Sequence, residues 1–404
     1  MRVCVCVHQF PARSETFVRE QVFGLANRGH EVIVIARSIG EGISPSELLE
    51  IDSSGVSRIY TGDWSSRPLT WLSAKMRALR NPGLHSYLFA RPPWPLNQRL
   101  VALATVEEIA RWHPDVVHVH FGTLAAKIVN AAEYLERFPP VVTTWHGYDA
   151  TAMPRQLGAD IYKDLFSSRA LHTVGSQFMR DRVASLGARS SSLTLIPMGI
   201  DLRRFRYRPP SVPSSNHLKV VSVGRLDEMK GHSYLIQACA LLRRQGKPLT
   251  LRIIGDGPLR STLEQLVSDL GISDTVRLLG SLPADDVARE LESADIFALT
   301  GIEAKTGKVE AQGVVFAEAQ AVGLPIIASN IGGVPDSILP QESGILTPPG
   351  DSPSIAKALE YFIDNPEKLK DFGQKGRQFV EKHFTIDSML SDLENVLAHA
   401  IETA

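Results

Sequence analysis

Two glutamates, Glu310 and Glu318, bracket a glycine in the run Glu310-Ala-Gln-Gly-Val-Val-Phe-Ala-Glu318. A carboxylate accepts hydrogen bonds from pairs of hydroxyls, so two of them suit a polyhydroxylated ligand. A helix is expected to start near Val314 or Val315, just past Gly313, with free amides in its first turn that can receive phosphate oxygens. One carboxylate could then hold a ribose and the other a second sugar ring. A plain helix-face role for Glu318 is the simpler alternative, and the spacing alone does not decide between them. Upstream, Ser222-Val-Gly-Arg-Leu-Asp-Glu-Met-Lys-Gly231 places Arg225 and Lys230 on a loop between a strand and a helix. Gly224 ends the strand and lets the backbone approach a ligand. Two cations beside a helix N-terminus make a diphosphate site; two solvated surface charges are the alternative. Gly255 and Gly257, in Ile254-Gly-Asp-Gly-Pro258, repeat the device without the third glycine of a dinucleotide fingerprint, so a tight turn explains them equally well.

Three histidines fall at strand ends in the first half of the chain. His118 and His120 close Asp115-Val-Val-His-Val-His120, and His146 follows a strand in Thr144-Trp-His-Gly-Tyr-Asp149. A histidine there can donate to a phosphate or a sugar hydroxyl. A structural role is the commoner fate of a single histidine, and the functional expectation rests mostly on His146. The sequence contains no Asp-x-Asp pair of the kind that holds a diphosphate through a divalent cation. Cations and helix N-termini are expected to neutralise the leaving group instead, with no metal.

The elements that must position these residues follow from apolar runs. Val3–Val7, Glu31–Ala36, Asp115–His120, Val141–Trp145 and Leu193–Ile196 read as strands, with helical periodicity between them over Phe17–Asn27. Arg203–His217, rich in Arg, Pro and Ser, reads as a linker. The alternation then restarts with Lys219–Val223, Leu249–Ile254, Val276–Leu279, Ile296–Leu299 and Pro325–Ala328. Short, wholly apolar strands separated by helices imply an α/β class with parallel sheets covered on both faces. Two such series predict two Rossmann-like, doubly wound domains, 1–205 and 216–384, facing across a cleft, with ligands at the carboxyl ends of the strands. A final helix is read over 385–404 from Met389, Leu393, Val396 and Leu397.

The 404 residues carry a net charge of −1, with 44% apolar and 22% charged residues, which fits a globular protein of two domains and gives no general pull toward nucleic acid. Cys4, Cys6 and Cys239 form neither a disulfide framework nor a metal cluster, and are expected to pack. No run is long enough to span a bilayer, and a cytoplasmic location is the default expectation. Residues 64–106 lack Asp and Glu but carry six cations among aromatics such as Trp64, Trp71, Tyr87 and Trp94. Either they are a surface insertion packed on the first domain, or they make peripheral contact with an anionic membrane or a lipid-phosphate acceptor.

Taken together, these motifs resemble glycosyltransferase family 4, the large retaining family of GT-B fold. Arg28-Gly-His-Glu-Val32 is similar to the end of that family's first helix. Pro197-Met-Gly-Ile-Asp201 resembles its linker, with Met198 for the usual Asn. Gly224-Arg-Leu with Lys230-Gly resembles its donor-phosphate pair, and Ala328-Ser-Asn-Ile-Gly-Gly-Val-Pro335 its loop after the donor helix. The resemblance implies Glu310 on the transferred sugar, Glu318 on the ribose and His146 near the sugar. It implies a catalytic set of His146, Arg225, Lys230 and Glu310. The implied donor site is Gly224, Arg225, Lys230, Gly255, Gly257, Leu282, Glu310, Gly313, Val314, Val315 and Glu318. Acceptor-side candidates are Ser14, Glu15, His118, His120 and Asp149. Ser14 and Glu15 stand where most members have two glycines, and Ala311 replaces a common glycine; the former resembles the exopolysaccharide, colanic-acid-type subgroup.

The implied activity is transfer, with retention, from a UDP- or GDP-sugar to a saccharide or lipid-linked acceptor in polysaccharide or glycoconjugate synthesis. It needs no cofactor and no protein nucleophile, and the last helix would cross back to the first domain as a hinge. A nucleotide-sugar epimerase of the same fold and a non-catalytic nucleotide-sugar-binding subunit are the alternatives. The donor base, the sugar and the acceptor are not legible.

Overall fold

The computed structural model describes residues 1–12, 15–40, 43, 48, 51, 54–61, 87, 94–208 and 217–404. Ser14, most of 64–106 and residues 209–216 of the expected linker lie outside the described residues. The chain divides into two compact units, one of Met1–Gly175, Met179–Ile196 and Met389–Ala404, the other of Ser176–Phe178 and Pro197–Ser388.

The first unit is a parallel seven-stranded sheet: β1 (Arg2–Gln9), β2 (Glu31–Ser38), β3 (Ser57–Tyr60), β4 (Val116–His120), β5 (Val141–Trp145), β6 (Leu171–Val174) and β7 (Leu193–Leu195), in the order β3-β2-β1-β4-β5-β6-β7. The reversal of order beside β1 is the doubly wound signature, and it puts the ends of β1, β4 and β5 next to one another. Their apolar runs are buried on both faces, as parallel strands require: Val3–Val7 of β1 and all of β4 and β5 are buried. Cys4 and Cys6 share a face, sulfurs 3.9 Å apart, and are buried, as their spacing predicts.

Helix α1 (Thr16–Asn27) turns into β2 through Arg28-Gly-His30, with Gly29 at φ 87°. The motif also holds the last helix of those named here. Arg28 Nη1 and His30 Nε2 each reach Glu394, at 2.8 and 2.7 Å. A Cβ on Gly24 would lie 2.4 Å from Leu390 Cδ1, so the C-terminal helix (Ile386–Glu402) seats its apolar stripe against α1. Met389–Ala404 thus belongs to the first unit.

The second unit has a parallel six-stranded sheet in the order β10-β9-β8-β11-β12-β13, comprising β8 (Leu218–Val223), β9 (Leu249–Ile254), β10 (Val276–Gly280), β11 (Ile296–Leu299), β12 (Ile326–Ser329) and β13 (Gly344–Thr347). One face is closed by a core that includes Leu235, Leu251, Leu359 and Phe362, the other by one that includes Phe297, Leu299, Phe316 and Val380. The unit begins at Pro197, ahead of the Arg/Pro/Ser-rich stretch expected to carry the boundary. The reason is Gln312, whose buried amide accepts from Met198 N at 2.9 Å and donates to its carbonyl at 3.3 Å. Gly199 then lets the backbone run against Thr385 and Ile386, where a Cβ would sit within 2.7 Å.

Candidate functional site

In the second unit, β8 ends at Gly224 and a short turn over Glu228–Lys230 leads into helix α4 (His232–Arg244). For numbering in chain order, α2 (Leu96–Trp112) and α3 (Gly122–Ala132) belong to the first unit. The turn is locked by Gly231, at φ 65°, where an added Cβ would lie 1.9 Å from the Thr300 carbonyl oxygen. The Lys230 stem lies over Gly224, and its ammonium donates to Glu310 Oε2, with only 16% and 14% of the two side chains exposed. Arg225 is exposed and has no hydrogen-bond or ion-pair partner among the described residues.

Glu310 is held by its backbone. Gly333 N donates to the Glu310 carbonyl at 2.9 Å, and Ser176 Oγ donates to Ala311 O at 2.6 Å. A Cβ on Gly333 would come within 1.7 Å of Ala311 O. The Asn330–Val334 loop, noted in the sequence only as a family likeness, is therefore the brace behind Glu310. Helix α5 (Val314–Val322) starts at Val314, one of the two positions expected, from Gly313 at φ 78° with no side-chain cap. The Val314 and Val315 amides, lacking intrahelical partners, emerge beside Glu310. Val314 and Val315 join Val223 and Leu282 as half-buried apolar groups on the same core. Gly255 and Gly257 pack backbone to backbone against Gly224 and Leu226, which accounts for both as spacers between neighbouring loops.

Glu318 lies one turn into α5, half-buried and with no hydrogen-bond partner among the described residues. Burial pushes its carboxyl up from 4.5 to about 7, and the Arg204 cation offsets a little of this. An unpaired carboxylate in that environment is costly in the free protein and is relieved by hydroxyl donors.

In the first unit, β4 and β5 bring the histidines together. His120 Nδ1 lies 2.9 Å from His146 Nε2, and the rings are stacked at 5.2 Å. His146 is also flanked by Phe17 and Phe121, at 4.5 and 4.7 Å between ring centroids. Burial lowers His118 to about 4 and His146 to about 3, and sets His120 well below 6.5. All three imidazoles are neutral near pH 7, so His146 works as a neutral donor or acceptor. His118 is buried in the sheet, its Nε2 2.7 Å from Thr144 Oγ1, and its ring meets no solvent.

Asp149 braces the His146 turn from within. It accepts from Gly122 N at 2.7 Å, Gly147 N at 2.9 Å and His146 N at 3.2 Å, and is 1% exposed. Its carboxyl is raised to about 6 by burial, against the pull of those amides. These geometries make Asp149 a support of the His146 turn and tie His118 to Thr144 within the sheet. Glu15 precedes α1, has one buried carboxylate oxygen without a partner, and is raised by burial to about 7.

Sequence reading missed two features here. Phe121 has φ 74°, a strained value for a bulky residue, and Gly122 faces Trp145 so closely that a Cβ would fall 2.2 Å from its ring. Trp94, counted with the basic-aromatic stretch, is 3% exposed and carries Lys127 over its face at 4.5 Å. For that residue the packed alternative holds. Among the described residues no helix is long and apolar enough to cross a membrane.

The chain matches the family described as Glycosyltransferase Family 4 over residues 14–204 and that described as Glycosyl transferases group 1 over residues 204–379. It is 26% identical over 406 residues to the putative colanic acid biosynthesis glycosyltransferase WcaL of Escherichia coli (strain K12), covering 98% of this chain and 99% of that one. It is 29% identical over 370 residues to the amylovoran biosynthesis glycosyltransferase AmsK of Erwinia amylovora, covering 89% and 90%. Its fold is similar to that of Anabaena Alr3699/HepE, solved in complex with UDP-glucose, with a TM-score of 0.73, 18% identity and coverage of 99% and 100%. With both halves matched in sequence and the whole chain in fold, the protein belongs to the family 4 glycosyltransferases and has the GT-B fold.

Proposed function

We propose that the enzyme transfers a sugar, with retention and without a metal, from a nucleoside diphosphate sugar to a saccharide or lipid-linked acceptor in exopolysaccharide synthesis. The observation that carries this reading is the Lys230–Glu310 pair, held beside the uncapped N-terminus of α5. Lys230 has three donors, so it can keep Glu310 oriented while two remain for diphosphate oxygens. Arg225 and the Val314 and Val315 amides complete the anion site, which gives the departing diphosphate its countercharge in place of a metal ion. Glu310 then holds the transferred ring and Glu318 the ribose, with the base against Leu282. Gly224, Gly255, Gly257 and Gly313 shape the loops around them.

His146, neutral and held beside His120 and Asp149, is the first unit's group for a sugar hydroxyl, and Glu15 is the acceptor-side carboxylate left uncommitted. The HepE complex keeps UDP beside GDP as a candidate for the donor's base, and the WcaL and AmsK names favour a polysaccharide pathway. A cytoplasmic enzyme at the inner face of the membrane fits such an acceptor.

The test is a thermal-shift panel of UDP, GDP, ADP and dTDP followed by transfer assays with the matching sugars, since a ligand of the folded state raises the melting point by mass action. One base should stabilise the parent and fail to stabilise Lys230→Ala. Equal stabilisation of both would remove Lys230 from the donor site.

A further inference from the structure

Beyond the carboxyl ends of β1 and β2 the first unit contains two cavities, of about 240 and 460 Å³, that share His8, Gln98 and Lys127 as lining. The larger also reaches Trp94, Phe121 and Tyr148, and so runs up to the His146 turn. It faces two carboxyl groups, Glu15 and the already committed Asp149. The smaller is different. It is bordered by Lys127 and Arg37, and none of its lining residues is acidic.

Neither cation has an ion-pair partner among the described residues. Lys127 projects from α3, half-buried, with its ammonium resting on the Trp94 ring. Burial, with Arg37 nearby, lowers it to about 8, so the free protein holds a cation there at a cost. His8 on the same wall is neutral, lowered by burial to about 4. One side of α2 lines the cavity through Asn97, Gln98, Val101 and Thr105, and so brings two side-chain amides to it. Two unpaired cations and two side-chain amides around one opening that has no carboxylate are an uncompensated anion site.

We propose that this cavity is an oxyanion subsite of the glycosyl acceptor, in which Lys127 and Arg37 bind a phosphate or carboxylate group carried by the acceptor sugar while the rest of the acceptor extends along the larger cavity toward His146. The proposal rests on the transferase reading above and narrows its acceptor to an anionic one.

The test is calorimetric titration of the full chain with glucose 1-phosphate, glucuronate and glucose, in the presence of saturating UDP. At least one anionic sugar should bind ten or more times tighter than glucose. Lys127→Gln and the exposed Arg37→Gln should each weaken it about tenfold or more, the scale of a lost hydrogen bond to a charged group. Lys127→Arg should retain most of the affinity, and UDP affinity should be unchanged in all three variants. Preference for the phosphate assigns the subsite to a sugar or lipid phosphate; preference for glucuronate assigns it to an acidic sugar. The proposal is overturned if neither anionic sugar outbinds glucose, or if both charge-removing variants bind like the parent. Failure of the donor assignment reads out separately, as UDP affinity that Lys230→Ala leaves intact, and Lys127-dependent binding is measurable whether or not UDP binds.

Discussion

Glu318→Gln separates what the carboxylate proposed to hold the ribose does for the ligand from what it costs the fold. In the free protein burial lifts this carboxyl from 4.5 to about 7. At ~1.4 kcal/mol per tenfold change, that gap of about 2.5 decades puts the ionised form about 3.5 kcal/mol higher in the folded state before solvent screening, and no more than about 3 kcal/mol once a half-buried site is screened. The sign follows from linkage: an acid whose folded value lies above its unfolded one adds no cost below pH 4.5, and the cost grows from there to about pH 7 and is full above it. Glu318→Gln should therefore be more stable than the parent at pH 8, by up to about 3 kcal/mol, and no more stable at pH 4. Donor binding runs the other way. Under the proposed assignment ribose hydroxyls donate to the carboxylate, so binding selects the ionised form, and parent affinity should improve by up to tenfold per pH unit below about 7 and level off above. Calorimetry with the sugar nucleotide found in the transfer assays is the right assay, because its diester phosphates keep a constant charge over this range. The variant should lose the pH dependence and bind about 10- to 100-fold more weakly at pH 8. A parent affinity flat from pH 5.5 to 8, or a variant less stable than the parent at pH 8, would refute both the burial argument and the ribose assignment.

Removing the proposed phosphate cation by Lys230→Ala should lower the transfer rate by about 10²–10³, measured with saturating donor, while the far-ultraviolet circular dichroism stays that of the parent. Gly333→Ala drives a methyl against the Ala311 carbonyl oxygen, 1.7 Å from its ideal position, and displaces Glu310 or the brace behind it. It should cost about 1–3 kcal/mol in denaturant melts and remove most transfer activity. Glu394→Gln weakens a cluster in which one carboxylate serves both Arg28 and His30. With about a quarter of the Glu394 side chain exposed, a loss of about 1 kcal/mol is expected, seen as faster proteolysis of the C-terminal helix.

The strands were legible because each is a short apolar run with no polar alternation, and a parallel sheet buried on both faces demands that pattern. The start of α5 was legible from Gly313, since few residues other than glycine accept φ 78° ahead of a helix. The sequence also brings Lys230 and Glu310 forward as candidates, but 80 positions separate them and no local rule reports that they touch. Around the linker the same limit applies: proline and arginine density marks 203–217, and nothing local reports the buried glutamine amide that holds Met198 from 114 positions away. Phe121 escaped notice because nothing in its type signals a positive φ; the strain is imposed by the neighbouring turn. The histidines show the limit of reading strand ends. His118 and His120 are both on β4 and both buried, yet one bonds Thr144 and the other His146, a difference set by the register of β4 on β5.

The two units position their chemical groups by different means, and this predicts different sensitivities. Lys230 and Glu310 are placed by backbone lying on backbone, at Gly231 against Thr300 and at Gly333 against Ala311, so any added side-chain atom there is a steric fault. His146 is placed by one carboxylate gathering three amides, and the fault there is chemical. Asp149→Asn keeps the shape but offers a single acceptor oxygen, while Oδ2 serves Gly122 and Oδ1 serves His146 and Gly147. Whichever way the amide turns, an NH₂ group meets an N–H donor and at least one buried amide loses its partner, at a cost of about 1–3 kcal/mol. If the carboxylate acts by aiming His146 at the sugar, the variant should bind UDP as the parent does and lose transfer rate by tenfold or more, and Asp149→Glu, which restores the charge but lengthens the arm, should recover little. Equal losses in UDP affinity and rate would assign Asp149 to general stability. An unchanged rate would take the His146 turn out of the reaction altogether.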